Sequence, residues 1–340
     1  MARFLDVFED VTKEGHKIPK ESYLPEGLYP IIDQGQEYIA GYTNDASGLY
    51  CNVPAIIFGD HTRIIKYVDT PCYLGADGVK LLRAKIPDAN YKYLYYALRN
   101  ARIPDTGYNR HFKWLKEINI PLPGESEQEH IVSMLDKISN LIALRKQQLD
   151  KLDELVKARF VEMFGDPILN NKCFETIIGN DFFKVSNGKA VSDEKRTTSG
   201  IPAYGGNGIS WYTDEVLYDN DTLVIGRVGF QSGNVHLAKG PLWVTDNAMY
   251  ISDFFVSEYN LVFLYALMEH IDFTRYQDAG DLKKITQKPF MQMKFIFPPL
   301  ELQHKYSTFV AQVEKIKLTT QQGLDKLEMM KKALMQHFFE

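Results

Sequence analysis

The stretch LDKLDELVKARFVEMF, residues 149–164, returns near the other end of the chain as LDKLEMMKKALMQHFF, residues 324–339. The offset between the two copies is 175 residues, and the same offset holds back to Pro123, which lies over Pro298. Chance repeats four letters easily, but it does not keep one register over some forty residues. We therefore interpret the chain as an internal duplication.

The duplication extends upstream of these stretches, although small insertions change the offset. The matching blocks are LYYAL (94–98) with FLYAL (263–267), GYTND (41–45) with WYTDE (211–215), and IIFGD (56–60) with LVIGR (223–227). Their order is preserved, and the period is too long for a solenoid, in which each repeat is a single supersecondary unit. The sequence predicts two tandem domains, each followed by one long helix.

Composition limits the class of protein. A chain of 340 residues with 45% apolar and 24% charged residues is typical of a folded soluble protein of two or three domains. The sequence has no apolar run near 18 residues and no pattern of a signal peptide at its start, so we expect a cytoplasmic protein. The net charge of -5 argues mildly against a protein that grips nucleic acid alone.

Short patterns predict a mixed, strand-rich fold for each domain. The runs PAIIFGDHT (54–62) and DTLVIGRVG (221–229) are typical of buried strands. The glycine-rich run 199–214 is expected to be a loop between strands. Apolar spacing predicts helices at 91–102 and 258–271.

The two long helices carry apolar residues in a four-three alternation, which is the pattern of a coiled coil. In the first helix the series is Ile131, Leu135, Ile138, Ile142, Leu149, Leu152 and Val156. In the second it is Phe309, Val313, Ile316, Leu327, Met330 and Leu334, with Thr320 and Gly323 weakening the middle. No Gly or Pro interrupts residues 126–163, so at ~1.5 Å per residue that helix spans ~57 Å. Two copies in one chain favour an intramolecular antiparallel pair over two helices that each pack only on their own domain.

The whole chain resembles the specificity subunit of type I restriction-modification enzymes. The resemblance rests on an aliphatic strand, a proline-rich turn and a Gln-containing helix start in each half, INIPLPGESEQEHIVSMLDKI (118–138) and FIFPPLELQHKYSTFVAQV (295–313). GIPAYGGNGISWY (200–212) is similar to the loop that opens target-recognition domains in that family. In the first half Asp33 and Gln34 replace the glycines of this loop.

The resemblance implies an α+β fold. Two tandem mixed α/β target-recognition domains would be separated by two long helices in an antiparallel coiled coil, related by a pseudo-two-fold internal repeat. The corresponding segments are 1–123 (first recognition domain), 124–165 (central helix), 166–297 (second recognition domain) and 298–340 (C-terminal helix).

The resemblance also implies function and partners. The subunit reads a split, asymmetric site in double-stranded DNA and aims two modification subunits, which carry S-adenosylmethionine and methylate adenine. Restriction subunits with translocase and nuclease activity, which use ATP and Mg²⁺, join the full complex. No cofactor is expected on this chain itself.

The residues give no sign of catalysis. YGGNGIS (204–210) is not a dinucleotide-binding glycine motif before a helix, and a Walker loop is absent from the sequence. The sequence FPPLE (297–301) lacks the aromatic residue that an adenine methyltransferase needs after its two prolines. The His residues form no i, i+4 metal pair. We expect a targeting subunit and not an enzyme.

Arg, Lys, Asn and Gln are the side chains that read base edges, and exposed Lys and Arg bind phosphates. The candidates for DNA contact in the first domain are Arg63, Asn109, Arg110, His111 and Lys113. The candidates in the second domain are Lys195, Arg196, Asn207, Arg227, Lys283 and Lys284. The clusters 109–113 and 283–284 occupy corresponding places before the last strand of each domain. A solvated charged face is the alternative interpretation for each of these residues.

Three other functions stay open. One is a specificity chain for a fused restriction-methylation enzyme of the type IIB kind, and another is a coiled-coil scaffold without a DNA role. A DNA-modifying enzyme is disfavoured because its motifs are missing.

Overall fold

The computed structural model describes residues 1–75, 78–107, 109–278, 280 and 283–340. Its contacts divide the chain into two units. Unit 1 is Met1–Lys146 together with Gln322–Glu340, and unit 2 is Gln147–Gln321. The divisions fall inside both long helices, so each unit contains a globular part and one segment of each helix.

In unit 1 the described residues form three sheets, three short helices and one segment of each long helix. The strands are β1 (Ala2–Arg3), β2 (Phe8–Asp10), β3 (Tyr29–Ile32), β4 (Gly41–Thr43), β5 (Ala55–Gly59), β6 (Ile65–Val68), β7 (Tyr73–Leu74), β8 (Val79–Ala84) and β9 (Asn119–Ile120). The helices are α1 (Phe4–Val7), α2 (Tyr91–Asn100), α3 (Phe112–Leu115), the first part of α4 (Glu125–Phe164) and the last part of α8 (Leu300–Phe339). The sheet orders are β2-β8-β5-β6, β4-β3-β7 and β1-β9.

Unit 2 repeats this topology. Its strands are β10 (Thr176–Ile178), β11 (Phe183–Asn187), β12 (Ile201–Gly205), β13 (Gly208–Thr213), β14 (Thr222–Gly226), β15 (Val235–Ala238), β16 (Trp243–Val244), β17 (Ala248–Phe254) and β18 (Lys294–Ile296). Its helices are the rest of α4, then α5 (Gly179–Phe182), α6 (Leu261–Glu269), α7 (Gln287–Gln292) and the first part of α8 (Leu300–Phe339). The sheet orders β11-β17-β14-β15, β13-β12-β16 and β10-β18 match those of unit 1 one for one.

The central strands of both units are the apolar runs that the sequence predicted. Every residue of β5 and of β14 is buried, because sheet neighbours flank each strand and side chains cover both faces. The helices that follow in each unit begin at matching caps. The Asn90 side chain accepts a hydrogen bond from Tyr93 N, and Asn260 accepts one from Phe263 N, which satisfies one free N–H at each helix start.

The glycine-rich run 199–214 differs from the prediction of a loop. It forms the antiparallel strands β12 and β13, which are joined by a tight turn at Gly206 and Asn207. β12 also pairs in parallel with β16, where Tyr204 lies opposite Val244. This pairing is long-range, so the local density of Gly and Asn gave no indication of it.

The predicted long helices are α4 and α8, and their segments run antiparallel within each unit. In unit 1 the Lys146 ammonium pairs with Glu328 at 3.0 Å, while Leu135, nearer the start of α4, shares a core with Phe339. In unit 2 Lys317 pairs with Asp153 at 2.7 Å.

Each long helix is tied to the strand before it by the same duplicated pair. The Gln128 amide donates to the Pro123 carbonyl at 2.9 Å, and the Gln303 amide donates to the Pro298 carbonyl at 2.8 Å. The shared Pro and Gln of the two halves therefore have a structural role.

The apolar seam of α8 differs from the prediction in its middle. Thr320 and Leu324 are buried, whereas Ile316 and Met330 are about half exposed. The buried residues of α8 in this region are Val313, Thr320 and Leu324. Thr320 therefore packs in the seam, although the apolar alternation had placed Ile316 there.

Candidate nucleic-acid interface

The predicted contact residues cluster around the connection that follows the central strand of each unit. In unit 1 this connection is 60–64, between β5 and β6, and in unit 2 it is 227–234, between β14 and β15. Both are held by the same two backbone hydrogen bonds. Asp60 N donates to Gly78 O at 2.6 Å, and Arg227 N donates to Asn247 O at 2.9 Å.

The second shared hydrogen bond brings the basic clusters to this connection. His111 N donates to Asp60 O at 2.7 Å, and Ile285 N donates to Arg227 O at 2.9 Å. Arg110 therefore corresponds to Lys284, the residue that directly precedes the bonded amide in unit 2. The segments 109–113 and 283–285 accordingly occupy equivalent positions in the two units.

A residue that contacts DNA must be exposed, but His111 is buried. Its side chain is 1% exposed, and its Nδ1 atom lies 3.0 Å from the Asp60 carbonyl oxygen. The Asp60 carboxylate accepts a further hydrogen bond from Phe112 N at 2.7 Å. The equivalent residue Ile285 is also buried, so this position anchors the loop and presents its neighbours.

Those neighbours are exposed. Asn109, Arg110 and Lys113 are exposed in unit 1, and the Lys113 ammonium lies 4.9 Å from the centre of the Trp114 ring. Lys283 and Lys284 are exposed in unit 2. The two segments therefore offer amide and cationic groups to a ligand.

Arg63 takes a positive φ of 62° at the end of the unit 1 connection. Its guanidinium pairs with Asp105 at 2.6 Å and donates to the Ile103 carbonyl at 3.3 Å. The Arg63 guanidinium is therefore already bound by two groups of the protein, and full engagement with DNA would have to replace them. Its counterpart in the prediction, Arg227, is half buried and directs its guanidinium to the Asp246 carbonyl at 3.5 Å.

A cleft of about 570 Å³ lies beside the unit 2 connection. Asn207 and Arg196 line it, and the Arg196 guanidinium lies 5.2 Å from the centre of the Trp211 ring. Lys195 is exposed nearby in the chain and pairs with Glu215.

In unit 1 the space equivalent to this cleft is occupied by side chains. The parallel pairing of β3 with β7 and of β12 with β16 places Asp33 and Gln34 where unit 2 has Gly205 and Gly206. The Gln34 side-chain carbonyl accepts a hydrogen bond from His61 N at 3.2 Å, and a Cβ added to Gly78 would lie only 2.5 Å from the Gln34 amide nitrogen. The replacement of the two glycines by Asp33 and Gln34 therefore accounts for the difference: side chains occupy this place in unit 1, and a cleft is open in unit 2.

Sequence reasoning missed three residues of the unit 2 cleft, Phe230, Gln231 and Asn247. Phe230 is 92% exposed. A signal was available, since the offset between the halves grows from 167 residues at β5 and β14 to 170 at β6 and β15. That change marks an insertion in the unit 2 connection.

Unit 1 has a different open groove, of about 970 Å³, beside β6 and α2. Tyr95, Lys92 and Arg99 line it. The Lys92 ammonium pairs with Asp136 at 2.7 Å, and this hydrogen bond raises the pKa of Lys92 above its ordinary value. Tyr95 is half buried and lies in the wall of this groove.

Within the part of the chain that the structure describes, no set of three or more His, Cys, Asp or Glu side chains is arranged to hold a metal ion. The same residues contain no helix that is both long enough and apolar enough to cross a membrane. Cys51, Cys72 and Cys173 are free thiols.

The chain therefore contains two copies of one mixed fold in tandem, and each copy presents exposed basic side chains on the corresponding loop. A family model for the type I restriction modification DNA specificity domain matches residues 2–154 and 172–329. The match extends over most of the chain in two successive segments, so the chain belongs to this family.

Curated relatives and solved structures agree with that assignment. Over 186 residues the chain is 26% identical to the Escherichia coli type I restriction enzyme EcoprrI specificity subunit, which covers 52% of this chain and 45% of that protein. Over 149 residues it is 29% identical to the E. coli EcoR124I/EcoR124II specificity subunit, covering 40% and 36%. The alignments therefore span less than half the length of these relatives.

Two solved structures have the same fold. The S subunit of a type I restriction-modification system from M. genitalium superposes with a TM-score of 0.67 at 19% identity, over 99% of this chain and 95% of that one. A chain from a study of complex assembly and conformational transition in the type I R-M system gives 0.60 at 14% identity, over 98% and 94%.

Proposed function

We propose that this chain is the non-catalytic DNA-specificity subunit of a type I restriction-modification system. Each unit reads one block of a two-part, asymmetric site in double-stranded DNA. Partner subunits carry out adenine methylation and restriction, and S-adenosylmethionine, ATP and Mg²⁺ act on those partners.

The observation that carries the proposal is the shared frame around Asp60 and Arg227. The same pair of backbone hydrogen bonds fixes the connection after the central strand in both units, while the exposed side chains differ. A common frame with different polar side chains supports two readers with the same docking geometry and different sequence preferences.

The long helices support the proposal of partner binding. Each of them exposes large apolar side chains to solvent. In unit 1 these are Leu141, Leu144, Met329 and Met330, and in unit 2 they are Leu155, Val161, Ile316 and Leu318. Exposed apolar rows of this kind are typical of protein interfaces. We propose that one modification subunit docks on each unit's helix pair, giving two per chain, and that restriction subunits join this assembly.

The net charge of -5 has a consequence for DNA affinity. Non-specific affinity depends on phosphate neutralisation by Lys and Arg, so the chain alone should bind DNA weakly. Modification subunits that close around the duplex would supply most of the phosphate contacts.

The test is to purify the chain with its modification subunit and to compare three samples, the complex, the chain alone and the modification subunit alone. We expect the measured mass of the complex to correspond to two modification subunits per chain, and we expect specific DNA retention and adenine methylation by the complex only. Retention of no DNA by a well-formed complex would favour the scaffold function. Methylation by the chain alone would contradict the non-catalytic role.

A further inference from the structure

The unit 2 connection is longer than its counterpart and carries an aromatic residue. Residues 227–234 join β14 to β15, whereas only 60–64 join β5 to β6. The longer loop reads RVGFQSGN, and the shorter one, DHTRI, contains no Phe, Tyr or Trp. Phe230 is therefore a feature of one reader and not of the shared fold.

Phe230 is the most exposed large hydrophobic side chain among the described residues, at 92%. Single exposed apolar residues are common on protein surfaces, so exposure alone assigns no role. What distinguishes Phe230 is the rigidity of the backbone that presents it.

Several hydrogen bonds brace the loop on both sides of the ring. Gly229 N donates to Lys283 O at 2.8 Å, and Ser232 N donates to Gly229 O at 3.0 Å. The Gln277 amide donates to the Ser232 carbonyl at 2.8 Å. Gly229 takes a φ of +84°, a conformation that favours glycine and turns the chain just before the ring. The ring is thus held out on a fixed tip.

The groups around the tip are those that contact DNA. Phe230 lines the same cleft as Asn207, Gln231 and Asn247, whose amides can pair with base edges. The bridge between Val228 and Lys284 places two exposed lysines beside the tip, where they can neutralise phosphates.

We propose that Phe230 inserts its ring between adjacent base pairs in the DNA block read by unit 2. This inference rests on the proposed function, since it requires that unit 2 binds duplex DNA. Both faces of the ring are open, so two bases can stack on it, whereas contact with a thymine methyl group needs only one face. Inserted apolar side chains unstack a base step and kink the duplex. Pyrimidine–purine steps unstack most easily, so the unit 2 block is expected to contain one.

The test uses the complex of the full chain with its modification subunit. Its DNA site is first mapped from methylated adenines, and duplexes then carry 2-aminopurine in place of successive adenines of the unit 2 block on either strand, with the methylated adenine excluded. Wild type should raise the fluorescence at one step, because 2-aminopurine brightens when it is unstacked. Phe230→Ala should abolish this increase and weaken specific binding about ten-fold or more, in line with the loss of an aromatic stacking partner.

Two further variants complete the test. Phe230→Trp should keep both the fluorescence increase and the affinity. Phe255→Ala should change neither, because Phe255 is an exposed phenylalanine that follows β17 at the end opposite Ala248, the partner of Gly226. Both Phe230 variants should keep the wild-type melting temperature, since this 92% exposed residue makes little contact with the fold.

Three results would overturn the proposal. The first is unchanged affinity in Phe230→Ala, and the second is wild-type binding without any fluorescence increase. The third is a loss of affinity that deoxyuridine in place of thymine reproduces without unstacking, which identifies a methyl contact. If wild type shows no sequence-specific binding at all, the proposed function itself fails, and the insertion fails with it.

Discussion

Units 1 and 2 share the backbone hydrogen bonds that hold the connection after the central strand, but they differ there in loop length and in exposed side chains. After β5 and after β14 the chain makes the same hydrogen bonds to the same neighbouring segments. Unit 1 then fills the adjacent space with Asp33 and Gln34, while unit 2 leaves a cleft of about 570 Å³ next to Gly205 and Gly206. A duplicated fold therefore conserves the buried frame and changes the exposed tips, which is what two readers of different sequences require.

The residue after the central strand gives the largest expected effect. In unit 1 it is Asp60, a buried residue whose carboxylate accepts the Phe112 N–H; in unit 2 it is the half-buried Arg227. Asp60→Ala leaves the Phe112 N–H without its partner and should lower the free energy of unfolding by about 2–3 kcal/mol. Arg227→Ala should change it by less than about 0.5 kcal/mol.

Urea denaturation of the two variants checks this difference. Equal losses in both would show that the connection does not depend on a buried carboxylate in unit 1.

The open cleft of unit 2 can be filled to resemble unit 1. A Cβ at Gly206 would meet nothing closer than 3.4 Å, so Gly206→Gln should fold normally and obstruct the cleft. We expect specific DNA affinity to fall about ten-fold, equivalent to ~1.4 kcal/mol, with the loss confined to the unit 2 block.

The reciprocal variant Gln34→Gly is the control, measured by the same competition binding. It removes the side-chain carbonyl that accepts the His61 N–H at 3.2 Å, so it should affect the unit 1 block only. If either variant lost specificity for both DNA blocks, the assignment of one block to each unit would be wrong.

The duplicated glutamines should contribute unequally to stability. Gln303 is buried, donating to Pro298 O and accepting from Asn260 N at 2.8 Å, whereas Gln128 is half buried and donates to Pro123 O. Gln303→Leu should cost about 1–2 kcal/mol and Gln128→Leu about 0.5–1 kcal/mol in unfolding free energy. Thermal melts measure the difference, and an order opposite to this one would contradict the assigned hydrogen bonds.

The smallest effect concerns a position where the helix repeat is broken. Lys331 of unit 1 lies over Val156 of unit 2 in the duplication. Burial lowers the pKa of the Lys331 ammonium, with Arg99 acting in the same direction. Because the folded-state pKa lies below the unfolded value, the unfolded chain binds more protons between the two values, and stability rises with pH through that window.

Lys331→Met should therefore stabilise the protein at neutral pH, by less than about 1 kcal/mol for this half-exposed residue. It should also remove part of the rise in stability at alkaline pH. Lys332→Met, at the exposed neighbouring position, is the control and should do neither. Melting curves at neutral and alkaline pH compare the two variants.

Much of the fold could be predicted from the sequence because the buried frame leaves local patterns. The runs of β5 and β14 and the long α4 and α8 were readable from apolar spacing alone. The hairpin β12–β13 was missed although its two-residue turn, Gly206 and Asn207, is a local hairpin signal; only the pairing of β12 with β16 is long-range. The burial of Thr320 could not be predicted from apolar spacing either, because it depends on the residues that pack against it.

The equivalence of the two basic segments was predictable from the sequence, whereas their contact with DNA stays a prediction. The segments around Arg110 and Lys284 were located by their place in the repeat. The burial of His111 was missed because a histidine before a short helix gives no sign of its backbone acceptor, although its counterpart Ile285 is apolar. Phe230 was missed because a single aromatic residue in a polar loop has no periodicity.

The central claim is that two different readers act on one site, and mapping of methylated adenines tests it most directly. Two variants, Arg110→Ala with Lys113→Ala in unit 1 and Lys283→Ala with Lys284→Ala in unit 2, are compared with wild type beside the same modification subunit. We expect wild type to methylate a two-part, asymmetric site, with the first variant relaxed at one block and the second at the other. A base-edge contact costs about 1–3 kcal/mol at its own position, which is enough to change the methylated motif. Relaxation of the same block by both variants, or a continuous wild-type site, would contradict the account.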